Sequence, residues 1–140
     1  MRKAVEQKIL LLKAVSPDGR WLVGWSPLPG TDAVAIQAFP LAGGSPVHIA
    51  ASIEWNWSPD GDFASISAGP VGPNRSYIIP LKPGAALPPV PTGGFRSEQE
   101  IADIAGARRI DAWAVPGASP GVHAFYRGTT QRNLYRIPVQ

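Results

Sequence analysis

Ser16-Pro17-Asp18-Gly19 is repeated at Ser58-Pro59-Asp60-Gly61, and each copy separates two apolar runs. Ile9, Leu10, Leu11 and Leu12 precede the first copy, and Trp21, Leu22, Val23 and Trp25 follow it. Ile53, Trp55 and Trp57 precede the second copy, and Phe63 and Ile66 follow. Proline holds φ at about −65° early in a turn, Asp bonds back to its own backbone, and Gly accepts positive φ. A tetrapeptide of this kind between two β-type runs predicts a hairpin. Its recurrence makes the chain a repeat.

The two serines stand 42 residues apart, within the span of about 40–45 residues of a four-stranded propeller blade. A second marker keeps nearly the same spacing. Ala38-Phe39-Pro40-Leu41 corresponds to Ile78-Ile79-Pro80-Leu81, and Arg136-Ile137-Pro138-Val139 repeats the pattern near the C-terminus. Proline cannot donate to a ladder, so it marks the exit of each strand. The first blade is expected over about 8–50, with strands at 9–15, 21–25, 33–39 and 47–50. The second, over 51–92, has strands at 53–57, 63–67 and 76–79, and a weak outer strand where Pro88, Pro89 and Pro91 crowd together. The third, over 108–140, aligns Ile110-Asp111-Ala112-Trp113 with Ile53-Glu54-Trp55-Asn56 and puts Pro116 at the place of Pro59. Its turn, 115–121, keeps Pro and Gly but has lost Asp-Gly, and its later strands are expected at 122–127 and 133–137.

Ser97-Glu98-Gln99-Glu100 forms a capping box, in which Ser97 caps the third amide and Glu100 reaches back. Ile101 and Ile104 follow at helical spacing and Gly106 supplies the stop. The expectation is a single all-β domain over 1–140: three antiparallel four-stranded blades of a partial propeller, with a short helical insert at 97–105 between blades two and three. The strand at 21–25 is apolar throughout, as a strand covered on both faces can be. Trp21, Trp25, Trp55 and Trp57 flank the repeated turns and are read as packing between blades.

A chain of 140 residues suits one domain with a real core. Its 15 Gly and 16 Pro fall between apolar runs, which suits many short strands. The net charge of +3 is small and Arg108-Arg109 is the densest basic group, so no nucleic-acid face is expected. Without cysteine there is no disulfide, thiolate nucleophile or thiolate metal ligand. No apolar run has the length of a membrane span. Met1-Arg2-Lys3 resembles the start of a signal peptide, but Glu6 and Lys8 intervene and the run at 9–12 is too short. His48 and His123 are the two histidines and neither belongs to a metal-binding spacing. No catalytic, cofactor-binding or metal-ligating residue is therefore assigned. Asp18 and Asp60 line either their own turns or a ligand or cation site at one face, and the turn role is preferred. Glu98 and Glu100 suit capping and the helix dipole better than acid–base work. Asp103 and Asp111 belong to no pattern.

The Ser-Pro-Asp-Gly turn with its following apolar strand resembles the repeat of TolB-type, WD-repeat-like β-propellers. Gly94-Phe95-Arg96-Ser97-Glu98-Gln99-Glu100-Ile101, then Gly106-Ala107-Arg108, then Gln131-Arg132-Asn133-Leu134-Tyr135-Arg136-Ile137-Pro138 resembles the end of certain bacterial serine/threonine kinases. Those proteins carry a kinase domain, usually a membrane span, and a C-terminal propeller. The resemblance implies a non-catalytic interaction or sensory module, the C-terminal half of an extracytoplasmic propeller, binding a protein or small ligand at its loops. The alternative it leaves is a hydrolase- or peptidase-associated propeller or a TolB-like periplasmic protein-binding one. No Gly-rich phosphate loop, Val-Ala-Ile-Lys-like strand, His-Arg-Asp or Asp-Phe-Gly is present, so kinase activity transfers to no residue here. Three blades fall short of the roughly 4 that a closed propeller needs. Missing N-terminal blades or a homo-oligomer is the expected remedy.

Overall fold

The repeated tetrapeptides do close hairpins. Gly19 N–H donates to Ser16 O at 2.8 Å and Gly61 N–H to Ser58 O at 3.0 Å, with φ of +68° and +82° at the two glycines. The computed structural model describes residues 7–68, 75–119 and 121–125. Its strands are β1 (Leu11–Val15), β2 (Trp21–Pro27), β3 (Val34–Pro40), β4 (Val47–Ala50), β5 (Ile53–Trp57), β6 (Phe63–Ala68) and β7 (Ser76–Pro80). A short helix α1 (Glu98–Ala102) precedes β8 (Arg108–Ile110), β9 (Ala114–Pro116) and β10 (His123–Phe125). They make three antiparallel sheets, ordered β1-β2-β3-β4, β5-β6-β7-β8 and β10-β9. The described fold is all-β apart from α1.

The first two sheets share one register. Trp21 pairs with Pro40 and Phe63 with Pro80, so each Pro ends its strand opposite the residue that opens the hairpin's second strand. The next residue closes the pattern, Leu41 N–H donating to Arg20 O and Leu81 N–H to Asp62 O, both at 2.8 Å. One difference is a bulge at Lys13, where the β1–β2 register shifts between Leu12 and Ala14. The extra residue reaches the neighbouring sheet, and Lys13 Nζ lies 2.6 Å from Glu54 Oε1.

Alternation sorts the second sheet into two unlike faces. Ile53, Trp55, Trp57, Ala64, Ile66, Tyr77 and Ile79 form one core with Val23, Ile36, Ala38, Ile49 and Ala50 of the first sheet. Trp21 and Trp25 pack against that core while partly exposed. The opposite face carries buried Ser65, Ser67 and Ser76. There Ser65 Oγ donates to Ala114 O at 3.0 Å, and Ser76 Oγ donates to Ala112 O and accepts from Ala114 N–H, each at 2.8 Å. With the single Ser76 proton on Ala112, the Ser67 hydroxyl 2.7 Å away donates to it. The third sheet thus docks through satisfied hydroxyls set beside the buried apolar Ile78 and Ala114.

Four expectations need correction. The fourth strand of the second sheet is β8, paired with β7 at Ser76–Ile110, Tyr77–Arg109 and Ile78–Arg108, and the stretch with Pro88, Pro89 and Pro91 forms no strand. Prolines offer no N–H to a ladder, whereas the Arg108–Ile110 segment offers one at each residue. The helical insert consequently lies between the third and fourth strands of the second sheet, not between the second and third sheets. The third hairpin is also shifted. Gly117 N–H bonds Val122 O at 2.8 Å, as Ser16 N–H bonds Trp21 O and Ser58 N–H bonds Phe63 O. Gly117 therefore stands at the serine position, and Ala118, not Pro116, at the place of Pro59. Among the described residues this sheet has two strands; the expected strand at 133–137 and the marker Arg136–Val139 lie outside them. The helix itself is shorter than 97–105, capped by Asp103, with turns from there to Gly106.

The insert returns to the first sheet before reaching β8. Phe95 N–H donates to Ile49 O at 2.7 Å, Phe95 bridges Ala50 in parallel, and Phe95 and Ile101 are buried in the shared core. This approach needs glycine at 94: φ is +81°, and a Cβ there would lie 2.8 Å from Ile49 O and 3.0 Å from His48 O. Among the described residues no helix is long and apolar enough to cross a membrane. Gly94→Ala is expected to lower the unfolding free energy by about 2–4 kcal/mol, from positive-φ strain plus overlap. In urea denaturation, Gly30→Ala serves as the control; its φ is +73° but nothing lies within 4 Å, so it should cost about 1 kcal/mol.

Candidate functional site

Each repeated turn is a closed network around one hydroxyl. Ser16 Oγ donates to Asp18 Oδ1 at 2.5 Å and accepts from Trp21 N–H at 2.9 Å, while Asp18 Oδ1 also accepts from Arg20 N–H at 3.0 Å. Ser58 repeats this with Asp60 at 2.5 Å and Phe63 at 3.0 Å, and Asp60 Oδ1 accepts from Asp62 N–H at 3.1 Å. Both serines are buried. Pro17, Asp18, Gly19, Pro59, Asp60 and Gly61 thus occupy turns whose geometry the serine hydroxyl sets.

Side by side, the two turns form one wall of a groove of about 200 Å³. The other wall is the loop of Lys82, Pro83, Gly84, Ala85 and Ala86, and Trp57 lines the groove between them. Two hydrogen bonds hold that loop in place: Arg20 Nη2 donates to Gly84 O at 3.1 Å, and Trp57 Nε1 to Ala86 O at 2.7 Å. The Trp57 ring packs edge to face on Trp55, with centroids 5.5 Å apart at 71°. Three carboxylates (Asp18, Asp60 and Asp62) and two cations (Arg20 and Lys82) line the groove. Arg20 Nε is 2.6 Å from Asp18 Oδ2, which balances one pair internally.

Asp18 and Asp60 are held ionised. The Ser16 hydroxyl, the Arg20 N–H and the Arg20 guanidinium bring the Asp18 pKa down from 3.8 to about 2. The Ser58 hydroxyl and the Asp62 N–H lower Asp60 in the same direction. A general acid at neutral pH requires the opposite shift. The groove therefore presents fixed charge around a Trp57 ring that is itself largely buried.

A second polar cluster fastens the insert. Tyr77 Oη donates to Glu98 Oε1 at 2.6 Å and Arg75 Nη1 lies 3.2 Å from the same oxygen. Arg75 and Arg109 both approach Asp111, at 3.8 and 3.1 Å. Burial and the Glu98 contact push the Tyr77 hydroxyl up, and the Tyr77 hydrogen bond, aided by Arg75, brings Glu98 down. The helix cap forms as Glu100 N–H donates to Ser97 Oγ at 3.3 Å and Arg96 N–H donates to Glu100 Oε2 at 2.7 Å.

His48 sits in β4 and His123 in β10, on different sheets. Among the described residues, no three His, Asp or Glu side chains are grouped to hold a metal ion. One motif escaped the sequence reasoning. Gly117-Ala118-Ser119-Pro120-Gly121 has the Gly-x-Ser-x-Gly spacing of a hydrolase nucleophile elbow. An elbow is a strand-to-helix turn, whereas Gly117, Ala118, Ser119 and Gly121 lie between the antiparallel strands β9 and β10. The fold context of the motif is therefore wrong for a nucleophile.

The chain matches no known family model, and no curated protein matches it either.

A carboxylate whose pKa is depressed by folding stabilises the fold above its unfolded pKa, and that contribution fades as pH falls to the folded value. For Asp18 the window runs from 3.8 down to about 2. Asp18→Asn is expected to be less stable than the native chain at neutral pH, with a flatter acid limb across that window. Chemical denaturation at stepped pH reads the limb. Carboxyl-carbon NMR of Ser16→Ala should show Asp18 titrating closer to its ordinary value.

Proposed function

We propose that this chain is a non-catalytic binding module, part of a β-propeller, whose ligand occupies the groove between the two repeated turns. The observation that carries the reading is convergence: two turns far apart in sequence put matching Ser–Asp networks on one groove beside an aromatic ring. Loops held by a rigid β scaffold are where binding residues concentrate. The blade reading draws support from the shared register of the first two sheets and from β1 lying against β5. The ligand is a segment of a partner protein or a small molecule with polar groups able to meet Asp60, Asp62 and Lys82 beside the largely buried Trp57. The resemblance of residues 94–108 to the tails of bacterial serine/threonine kinases supports assigning the module to such a parent.

Titrating the isotope-labelled chain with pools of short peptides and polar fragments tests the binding site. Binders should shift the Trp57 indole N–H and the amides of Gly84, Ala85 and Ala86 first, and Ala85→Arg should weaken them at least tenfold. Shifts confined to another surface, or robust turnover of ester or peptide substrates by the purified chain, would overturn the assignment. The parent is tested by the genomic sequence before Met1: an open frame encoding kinase motifs supports it, and an in-frame stop codon refutes it.

A further inference from the structure

Stacking inside the chain uses one strand position repeatedly. The second sheet meets the first through Ile53, Trp55 and Trp57 of β5, all buried. The ladders identify their counterparts in β1. Val15 pairs with Leu22 as Trp57 pairs with Ala64, and Leu12 pairs with Gly24 as Trp55 pairs with Ile66. Leu10, whose N–H donates to Trp25 O, takes the place of Ile53. These three counterparts are apolar too, yet Leu10, Leu12 and Val15 are 49%, 54% and 50% exposed. The opening is confined to this edge, because Leu22 and Phe39, deeper on the same face, are buried.

The far end of the stack offers the complementary surface. With Gly117 at the serine position, Val115 matches Asn56 of the second sheet and Ala14 of the first. Ala14 packs against the core that the second sheet covers, so this position receives the next sheet. In the third sheet it is exposed: Val115 joins Trp113, Ala124 and Phe125 around an apolar hollow of about 390 Å³. One end of the chain therefore presents the apolar residues that insert, and the other presents the surface that accepts them. Lys13, the charged residue of the β1 edge, is turned to Glu54 of its own chain.

We infer that copies of this chain associate head to tail, with Leu10, Leu12 and Val15 of one copy seated on the Trp113–Val115–Ala124 hollow of the next. The contact continues the stacking that already joins the first two sheets. Being heterologous, it closes into a ring or extends, according to the rotation per copy. Exposed apolar surface at both ends supplies the drive.

Sedimentation velocity over a concentration series tests this on the full chain. The native chain should form dimers or larger species as concentration rises. Leu12→Glu and Val115→Glu, each at a half-exposed position, should each be monomeric alone. Mixed in equal amounts they should form a heterodimer and nothing larger, because one variant keeps only the accepting surface and the other only the inserting edge. A native chain that stays monomeric throughout overturns the inference and leaves the β1 edge to another occupant. So does a Val115→Glu variant that associates like the native chain, which would indicate a two-fold contact through β1 alone. Circular dichroism checks that both variants are folded; where one is not, Leu12→Asn or Val115→Thr replaces it, and the native concentration series decides independently.

Discussion

A single serine hydroxyl, used in both directions, governs the first two sheets. Its proton goes to the Asp two residues on, and its lone pair takes the N–H of the residue that opens the next strand, three residues after that Asp. The hydroxyl thus ties the turn's interior to its exit. Backbone bonds from the same serine close the hairpin on either side. Because the exit is fixed, the opening residue of β2 or β6 lies opposite the Pro that ends β3 or β7. Pro at that point has no N–H to leave unpaired. Tilting the turn would move three strands at once.

The same network explains why the Asp residues belong to both turn and groove. Their Oδ1 atoms are committed to the Ser hydroxyl and a backbone N–H. The carboxylates remain on the rim, ionised, because the donors that hold them also favour the charged form. At Asp60 one oxygen does the structural bonding, whereas at Asp18 the second oxygen is also taken, by Arg20.

The first three strands of each of the first two sheets were legible because their signals are local: a turn, an apolar run and a Pro at a constant interval. The fourth strand of the second sheet was not. Arg108–Ile110 is short and polar, and nothing within it announces pairing with Ser76, Tyr77 and Ile78 across the whole insert. Its place is decided by the return of the chain past Ile49 and by the Tyr77–Glu98–Arg75 cluster, which are long-range events. The third turn was placed two residues early for a related reason. With Gly117 at the Ser position and Ser119 at the Asp position, Pro and Gly fit several registers equally, and the Gly117–Val122 bond is what selects one. Of the groove, Asp18 and Asp60 were visible in the motif. Arg20, Asp62, Lys82 and the loop through Ala86 were not, because their meeting depends on how two sheets stack.

The two faces of β6 show how that stacking is made directional. Ala64 and Ile66 enter an apolar core, where a small slide of one sheet over another exchanges one contact for a similar one. Ser65 on the other face, with Ser76 of β7, has no such freedom. Each hydroxyl is buried, and leaving one unsatisfied costs about 1–3 kcal/mol. Ser65 and Ser76 meet the main-chain groups of Ala112 and Ala114 at 2.8–3.0 Å, so the third sheet is held in one register by atoms that, Ala114→Pro aside, side-chain substitutions on its own strand leave in place. That arrangement suits a third turn with Gly117 and Ser119 where the others have Ser and Asp. The hairpin of β9 and β10 takes its position from the second sheet's hydroxyls, and its own turn no longer has to set the strand geometry.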